Sequence, residues 1–284
     1  MKAKLLLATA LLLAACGADD ERTGGATTGR DAAASVPRRL DDAPAAPEFP
    51  GQAPVDVFEQ ALAYGESGNS NLIGYLAMPA DVTEPLPGVI VIHESWGLND
   101  DVRALTRRLA TEGFVALAVD LYGGATASSA REAQTLVTAV MAAPDAAIAN
   151  IRQAYDYLDK YALAPSIATL GWSLGGTWSL RAALAMPEEI DAVVVYYGEV
   201  VTDPERLRAL NMPLLGLFGE LDESIPVREV QQFRSRLSEL GKSSTVYIYS
   251  NVAHAFANPN GGTYDAEAAE GAWGSTIEFL RANL

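Results

Sequence analysis

The sequence predicts an α/β fold in which a mostly parallel sheet is covered by helices on both faces. Seven runs of apolar, often β-branched residues occur along the chain, helical patterns separate them, and the runs are almost continuously apolar. Strands that are apolar on both sides belong to sheets buried on both faces, and such sheets are built from alternating strands and helices. The predicted strands are residues 72–78, 88–92, 114–120, 167–171, 192–197, 213–218 and 245–249.

Residues 1–15 have the features of an export signal. Two lysines precede an apolar run of 11 residues, which ends in small residues before Cys16. This arrangement is typical of a secretory signal peptide, and the run is too short to span a bilayer. The segment Leu13-Ala14-Ala15-Cys16 resembles the lipobox of bacterial lipoproteins, which implies cleavage before Cys16 and acylation of that residue. The alternative is an ordinary signal peptide that contains a cysteine.

Residues 16–54 are expected to be a lipidated cysteine and a flexible tether, followed by one domain at 55–284. The tether is rich in Ala, Gly, Thr, Asp and Pro, so it cannot bury enough apolar surface to offset the entropy of ordering. We therefore expect an exported protein of the cell envelope that contacts the membrane through its N-terminal lipid only. Gly17, rather than Asp, follows Cys16, which by analogy with bacterial lipoprotein sorting favours the outer membrane or its periplasmic face.

Helices with recognisable ends lie between the strands. Asn99 is expected to cap one helix, which stops at Gly113, while Pro226 begins another, which stops at Gly241. A C-terminal helix begins near Asp265. Apolar residues three or four positions apart mark one face of each: Val102, Leu105 and Leu109; Val227, Val230, Phe233, Leu237 and Leu240; Ala269, Trp273, Ile277 and Leu280.

Charge and residue counts exclude several classes of function. The chain has 20 Lys and Arg against 36 Asp and Glu, a formal net charge of −16, which repels phosphate backbones and argues against nucleic-acid binding. A single cysteine forbids an internal disulfide, and with only two histidines the chain has few ligands for zinc. No metal and no organic cofactor is expected. Any histidine-dependent chemistry falls to His93 or His254.

The loop after residues 167–171 carries a candidate nucleophile. It reads Gly171-Trp172-Ser173-Leu174-Gly175, a Gly-x-Ser-x-Gly pattern between a predicted strand and a predicted helix. The turn of such a pattern is sharp, so flanking side chains collide there, and it lifts the serine hydroxyl to a helix N-terminus that favours an oxyanion. The alternative is a turn of small residues without chemistry.

Two later loops supply partners for Ser173. Three acids, Glu220, Asp222 and Glu223, follow the strand at 213–218, and any of them could orient an imidazole. His254 follows the last predicted strand. The chain order of serine, acid and histidine is that of an α/β-hydrolase triad, and all three lie on loops that follow strands. The residues therefore predict a serine hydrolase and leave the choice of acid open.

Four segments resemble the dienelactone hydrolase family: residues 88–98, 119–122, 171–176 and 251–256. The resemblance covers roughly residues 55–284 and implies a compact α/β-hydrolase without a lid domain. It implies that Asp222 is the acid and that the backbone amides of Ser95 and Leu174 form the oxyanion hole. The characteristic glutamate of the family falls on Glu94, which is expected to face the nucleophile.

The chain departs from the family's pattern at the nucleophile and at two arginines. The type enzyme has a cysteine, whose thiol can give its proton to the glutamate; a serine alcohol is far more basic. Glu94 is a candidate catalytic residue whose role stays open: it anchors the hydroxyl, holds a water or shapes the loop. The arginines that hold a substrate carboxylate in the type enzyme are replaced by Gly123-Gly124 and Asn258. Neutral substrates are therefore expected.

Aromatic residues near the strand ends are expected to line the substrate pocket, although plain packing would also explain each. They are Trp96, Tyr122, Trp172 and Tyr197. His93 also lies at a strand end, beside Glu94, and its neighbours match a loop rather than the position of a base. We expect His93 to shape the oxyanion loop through hydrogen bonds.

The predicted function is hydrolysis of small-molecule carboxylic esters or lactones through an acyl-enzyme on Ser173, with His254 as base. One alternative is a non-catalytic binding lipoprotein on a hydrolase scaffold, which covalent labelling of an activated serine would exclude. Another is a peptidase or polymer esterase with the same triad, which differs only in its pocket. The sequence does not distinguish a monomer from an oligomer.

Overall fold

Eight strands form one sheet in residues 55–284, the part of the chain that the computed structural model describes. The order across the sheet is β1-β2-β4-β3-β5-β6-β7-β8, in which β2 pairs antiparallel with β1 and β4 and all other neighbours are parallel. The strands are β1 (Val57–Ser67), β2 (Ser70–Pro79), β3 (Gly88–Ile92), β4 (Val115–Val119), β5 (Ile167–Trp172), β6 (Ala192–Tyr196), β7 (Leu214–Gly219) and β8 (Ser244–Tyr249).

Three of the helices begin next to the residues that the sequence predicts, Asn99, Pro226 and Asp265. Asn99 accepts a hydrogen bond from the amide of Val102 at 3.2 Å and caps the first helix, and Asp265 caps the last by accepting from Ala268 at 2.9 Å. The helices are α1 (Asp100–Thr111), α2 (Ala130–Met141), α3 (Pro144–Lys160), α4 (Leu174–Ala185), α5 (Pro204–Leu207), α6 (Val227–Glu239) and α7 (Ala266–Asn283).

The helices cover the sheet on both faces. Ile90 and Ile92 of β3 belong to a core that includes α3, α4 and α6, whereas Val89 and Val91 belong to a second core that includes α1 and α7. Alternate residues of one fully buried strand therefore enter opposite layers, because successive side chains of a strand point to opposite faces. This arrangement confirms the predicted fold class, and each of the seven predicted strands is present.

The strand β1 is not among the seven predicted. It lies at the edge of the sheet, it pairs only with β2, and Tyr64 is its one buried residue. Because most of its side chains are exposed, it has neither the continuous apolar run of a central strand nor a clean alternation of apolar and polar residues. An edge strand of this kind leaves little hydrophobic signal in the sequence.

The parallel strands bring six loops to one edge of the sheet, where their carboxyl ends meet. These are the loops after β3, β4, β5, β6, β7 and β8, and ligands of open α/β sheets bind at this edge. The predicted signal peptide (1–15), Cys16 and the tether (16–54) lie outside the described residues. Within residues 55–284, no helix combines the length and apolar character needed to cross a membrane.

Candidate active site

Ser173 lies in a strained turn between β5 and α4. Its backbone has φ +52° and ψ −113°, in the half of conformational space that non-glycine residues rarely adopt. A Cβ on Gly175 would collide with the carbonyl oxygen of Ile92 at the end of β3. A Cβ on Gly171 would collide with the backbone of Gly175. The two glycines let the turn pack against the sheet, and the turn presents the Ser173 hydroxyl at the start of α4.

The side chains of Ser173, His254 and Asp222 form one hydrogen-bonded line. The Oγ of Ser173 lies 3.0 Å from Nε2 of His254, and Nδ1 of His254 lies 2.7 Å from Oδ2 of Asp222. When Nδ1 donates to the carboxylate, Nε2 is left as an acceptor for the hydroxyl proton. The structure therefore brings together three residues that lie 49 and 32 positions apart in the chain.

The loop after β7 distinguishes Asp222 from the two competing acids. The side chain of Asp222 is fully buried, and its Oδ1 accepts hydrogen bonds from the amides of Ser224 and Ile225, both at 2.8 Å. Glu220 instead accepts a hydrogen bond from the amide of Asn251 at 3.0 Å, and Glu223 is exposed. Only Asp222 of the three contacts His254 in the described residues.

The backbone amides of Leu174 and Ser95 are the donors predicted for an oxyanion hole. Leu174 is the first residue of α4, so its N–H has no acceptor within the helix. Ser95 lies in the loop after β3, where its N–H donates to no acceptor within residues 55–284. The start of α4 packs against the end of β3 at Gly175 and Ile92, which draws the two loops together. An oxyanion hole requires free donors of this kind beside the reacting carbonyl.

His93 and Tyr122 brace the loop that carries Ser95. His93 is fully buried; its Nδ1 donates to the carbonyl of Glu94 at 2.6 Å, and its Nε2 accepts from the amide of Leu121 at 3.1 Å. Burial lowers the pKa of His93, so the imidazole is neutral. One ring nitrogen therefore donates a hydrogen bond and the other accepts one, which links the loops after β3 and β4. The Tyr122 hydroxyl donates to the carbonyl of Ser95 at 3.2 Å, and its ring lies 4.6 Å from that of His93.

Asp120 organises the neighbouring turn, a role that was not predicted from the sequence. Its carboxylate accepts hydrogen bonds from the amides of Tyr122, at 2.7 Å, and Gly124. Gly123 and Gly124 both have positive φ, of 63° and 92°. The two glycines therefore form a tight turn around a buried carboxylate. The sequence signal for this role is the Asp-x-x-Gly-Gly spacing after a buried strand.

Glu94 contacts two polar side chains and makes no hydrogen bond with Ser173 in the described residues. Its Oε1 accepts from the hydroxyl of Tyr197 at 3.2 Å, and its Oε2 accepts from Nδ2 of Asn258 at 2.8 Å. Burial raises the pKa of Glu94, and the hydrogen bonds from Asn258 and Tyr197 act in the opposite direction. The pairing of Asn258 with Glu94 was not predicted from the sequence, in which Asn258 stands out only as the replacement of an arginine.

A cavity of about 410 Å³ adjoins this cluster, between α1, α7 and the loop after β8. Of the four aromatic residues predicted to line a substrate pocket, Trp172 and Tyr197 line this cavity, whereas Trp96 and Tyr122 do not. Ser173 and His254 are also absent from its wall. Its other lining residues include Glu94, Asp100, Asp101, Leu105, Arg108, Tyr196, Asn258, Tyr264, Glu270 and Trp273.

The charges on the cavity wall are mostly negative. Arg108 is the only Lys or Arg among the described lining residues, and it forms two hydrogen bonds with Glu270, at 2.7 and 3.2 Å. Its guanidinium also lies over the ring of Trp273, 4.2 Å from the centroid. No group of three or more His, Cys, Asp or Glu residues within 55–284 is arranged to hold a metal ion.

The sequence and the fold are similar to those of known hydrolases. The model of the dienelactone hydrolase family matches residues 72–284. Protein usf of Aquifex pyrophilus is 32% identical over 226 residues, which cover 77% of this chain and 96% of that protein. A putative carboxymethylenebutenolidase of Saccharolobus solfataricus is 28% identical over 260 residues, covering 78% and 98%. The crystal structure of a putative dienelactone hydrolase from Klebsiella pneumoniae matches with a TM-score of 0.70 at 26% identity, covering 80% and 99%.

Proposed function

Since the chain belongs to the dienelactone hydrolase family and is a hydrolase, we propose that it cleaves small carboxylic esters or lactones through an acyl-enzyme on Ser173. The observation that carries this proposal is the hydrogen-bonded line from the Ser173 hydroxyl through His254 to buried Asp222. A nucleophile within hydrogen-bonding reach of a base that is itself oriented by a third group is the signature of covalent catalysis.

In the first half of the reaction, Oγ of Ser173 attacks the ester carbonyl while Nε2 of His254 takes the hydroxyl proton. Asp222 holds the imidazole by its Nδ1–H and stabilises the imidazolium that forms. The carbonyl oxygen becomes an oxyanion held by the amides of Ser95 and Leu174. The C–O bond to the leaving group then breaks as His254 returns the proton to the departing oxygen, which leaves an acyl-serine.

In the second half, water replaces the alcohol. His254 takes a proton from the water as its oxygen attacks the acyl carbonyl, and the same two amides hold the second oxyanion. Collapse of this intermediate breaks the bond to Oγ, and the proton on His254 returns to Ser173. The product acid leaves, and the enzyme returns to its starting state. With a lactone, alcohol and acid are parts of one molecule, so a single hydroxy acid is released.

We propose neutral substrates because no cation in the cavity is available to bind a carboxylate. Arg108, its one lining guanidinium in the described residues, is already paired with Glu270, and carboxylates of Glu94, Asp100 and Asp101 also line the wall. A substrate carboxylate buried there without a partner would keep its desolvation cost, which is several kcal/mol in proteins. The relative named a putative carboxymethylenebutenolidase supports the inclusion of lactones among the substrates.

We also propose that the hydrolase works in the cell envelope, held there by a lipid on Cys16. The support is in the sequence: a basic start, an apolar run of 11 residues, and the chain's one cysteine at the end of a lipobox-like segment. A tether at residues 17–54 would give the domain reach from the membrane surface.

The proposed activity is tested by a substrate screen. The protein is incubated with neutral aryl esters of increasing acyl length, with neutral lactones, and with peptide amides of the same acyl groups. We expect hydrolysis of short esters or lactones and none of the amides. Hydrolysis of the amides would favour the peptidase alternative, and no turnover of any substrate would favour a non-catalytic binding protein.

A further inference from the structure

The carboxylate of Glu94 joins two loops that carry the proposed catalytic groups. Glu94 immediately precedes Ser95, whose amide is a proposed oxyanion donor. Its Oε2 accepts a hydrogen bond from Asn258, which lies four residues after His254 on the loop that follows β8. Its Oε1 accepts from Tyr197, the first residue after β6. One side chain therefore connects the loops that follow β3, β6 and β8.

We propose that Glu94 is a positioning residue: held by Tyr197 and Asn258, it fixes the oxyanion loop relative to the loop of His254 and takes no proton from Ser173. We call these three residues the Glu94 clasp. The inference rests on the proposed serine-hydrolase function and adds a role for a residue that the proton transfers do not use.

The hydrogen-bond pattern argues against Glu94 as a base for Ser173. The donors to Glu94 in the described residues are Tyr197 and Asn258, while the Ser173 hydroxyl, which has one proton, lies 3.0 Å from Nε2 of His254. An ordinary carboxylate is also far less basic than an alkoxide, so it could not hold the serine in its ionised form. With Glu94 held in the clasp, His254 is the base that accepts the proton of Ser173.

Tyr197 connects the clasp directly to His254. Its ring lies 5.2 Å from the His254 ring at an interplanar angle of 63°, an edge-on contact, while its hydroxyl reaches Glu94. Tyr197 is fully buried and has φ +36°, a conformation that costs energy for a residue of this size. Burial raises the pKa of Tyr197, so its hydroxyl keeps its proton and remains a donor to Glu94 at neutral pH.

Asn258 connects the clasp to the histidine loop through backbone contacts. Its amide donates to the carbonyl of Ala255 at 3.0 Å, and its Oδ1 accepts from the amide of Asn260 at 3.0 Å. Asn258 is thus part of the turn that directly follows His254, and Ala255 itself has φ +60°. A shift of the Asn258 side chain would change this turn and with it the direction of the imidazole.

The sharpest test exchanges the amide and the carboxylate. Asn258→Asp alone places two carboxyl groups against each other and should open the clasp, lowering kcat by about tenfold or more, as residues coupled through one hydrogen bond do. Adding Glu94→Gln restores the contact in reverse, because the Gln amide can donate to the new carboxylate at position 258 while its carbonyl oxygen accepts from Tyr197. The double variant, with the same total charge as the wild type, should recover kcat to within about threefold.

A base or water-holding role for Glu94 gives a different result. It requires the carboxylate at position 94, so the double variant would then be at least as impaired as Glu94→Gln alone, and the proposal would be overturned. Wild-type kcat in Asn258→Asp would overturn it as well. Tyr197→Phe supplies a second test, because it removes one donor without adding charge: we expect a lower kcat with little change in KM, and an unchanged kcat would contradict the clasp.

The matched control is Asn211→Asp. The Asn211 amide donates to Glu188 at 2.8 Å on the exposed surface, so this variant creates the same pairing of two carboxyl groups outside the site. It should keep wild-type kcat. The thermal unfolding of every variant is measured first, and kcat is compared only among variants that fold. If Asn258→Asp does not fold, the kcat of Tyr197→Phe becomes the test of the clasp. Failure of the proposed function itself is distinguishable, because the wild type would then hydrolyse no ester and would not react with a fluorophosphonate.

Discussion

The Asp222 carboxylate is fully buried and lies 2.7 Å from Nδ1 of His254, while its other oxygen accepts two backbone amides. The two amides fix the direction of the carboxylate, and the carboxylate in turn fixes the tautomer and orientation of the imidazole. A base that must take a proton from Ser173 through Nε2 requires this tautomer. In the proposed mechanism Asp222 is therefore the acid, because neither Glu220 nor Glu223 contacts His254 in the described residues.

Asp222→Asn should therefore remove most of the activity and little of the stability. The Asn oxygen can still accept from Ser224 and Ile225, but an amide facing Nδ1 favours the wrong tautomer of His254. By comparison with the same change in other triads, we expect kcat to fall by about 10⁴-fold. Esterase rates and thermal unfolding are measured together, with Glu220→Gln as the control. Full activity in Asp222→Asn would transfer the role to Glu220 or Glu223.

Glu94→Gln should change how stability depends on pH. Burial raises the pKa of Glu94 above its ordinary 4.5, so the folded protein binds this proton more tightly than the unfolded chain does. The contribution of the group is fully present below the unfolded value, about 4.5, and is lost as pH rises through the folded pKa. Glu94→Gln has no such titration. The difference in Tm between variant and wild type should move in favour of the variant as pH rises from 4.5.

Glu239 provides the control for this measurement. Its pKa is lowered, first by the hydrogen bond from Arg236, and its side chain is exposed. Glu239→Gln should therefore show no gain relative to wild type as pH rises over the same window. A Tm difference for Glu94→Gln that is constant with pH would mean that Glu94 titrates alike in the folded and unfolded states.

Neutral substrates should be hydrolysed faster than matched anions. The comparison uses one acyl group with a terminal methyl ester or with a terminal carboxylate at fixed ionic strength, and we expect kcat/KM to differ by about tenfold or more, since a buried unpaired carboxylate is costly. Asn258→Arg should reduce the ratio of kcat/KM for the neutral substrate to that for the anion. Position 258 faces Glu94, which would pair with the new guanidinium. Adding Glu94→Gln removes this pairing, so the double variant should reduce the ratio further. A wild-type preference for the anion would show that another cation, such as Arg103 or Arg131, reaches the substrate.

Cys16 should determine where the protein is found. We expect the wild type to fractionate with membranes and to carry acyl mass on Cys16, because its signal ends in a lipobox-like segment. Cys16→Ala should receive no lipid. The measurement is mass spectrometry of the N-terminal peptide beside cell fractionation. Wild-type protein in a soluble periplasmic fraction, with an unmodified Cys16, would contradict the anchor.

Local signals in the sequence were sufficient for most of the fold. The seven predicted strands and the caps at Asn99 and Asp265 depend on residues close in sequence, whose periodicity and hydrogen bonding are readable directly. The edge strand β1 could not be predicted in this way, because its exposed residues follow neither period. Its place depends on pairing with β2, which the hydrophobic pattern does not encode.

The residues of the candidate site also differ in whether the sequence predicts their positions. Ser173 and its glycines belong to one short motif, and the order of the post-strand loops placed His254 and an acid beside it. The partner of Glu94 could not be predicted, because Asn258 lies 164 positions away and its contact depends on the path of a loop with positive φ at Ala255. The cavity likewise depends on how α1 and α7 pack, so strand-end position alone did not separate Trp172 from Trp96.

The nucleophilic role of Ser173 is tested most directly by the intact mass of the protein after reaction with a fluorophosphonate, because this reagent reacts with an activated serine. We expect one adduct per chain, located on Ser173, with loss of esterase activity and no effect of iodoacetamide. Ser173→Ala should form no adduct and should lose about 10³-fold or more in kcat, as triad nucleophile knockouts do. An adduct on another residue, or near-normal turnover by Ser173→Ala, would show that Ser173 is not the nucleophile.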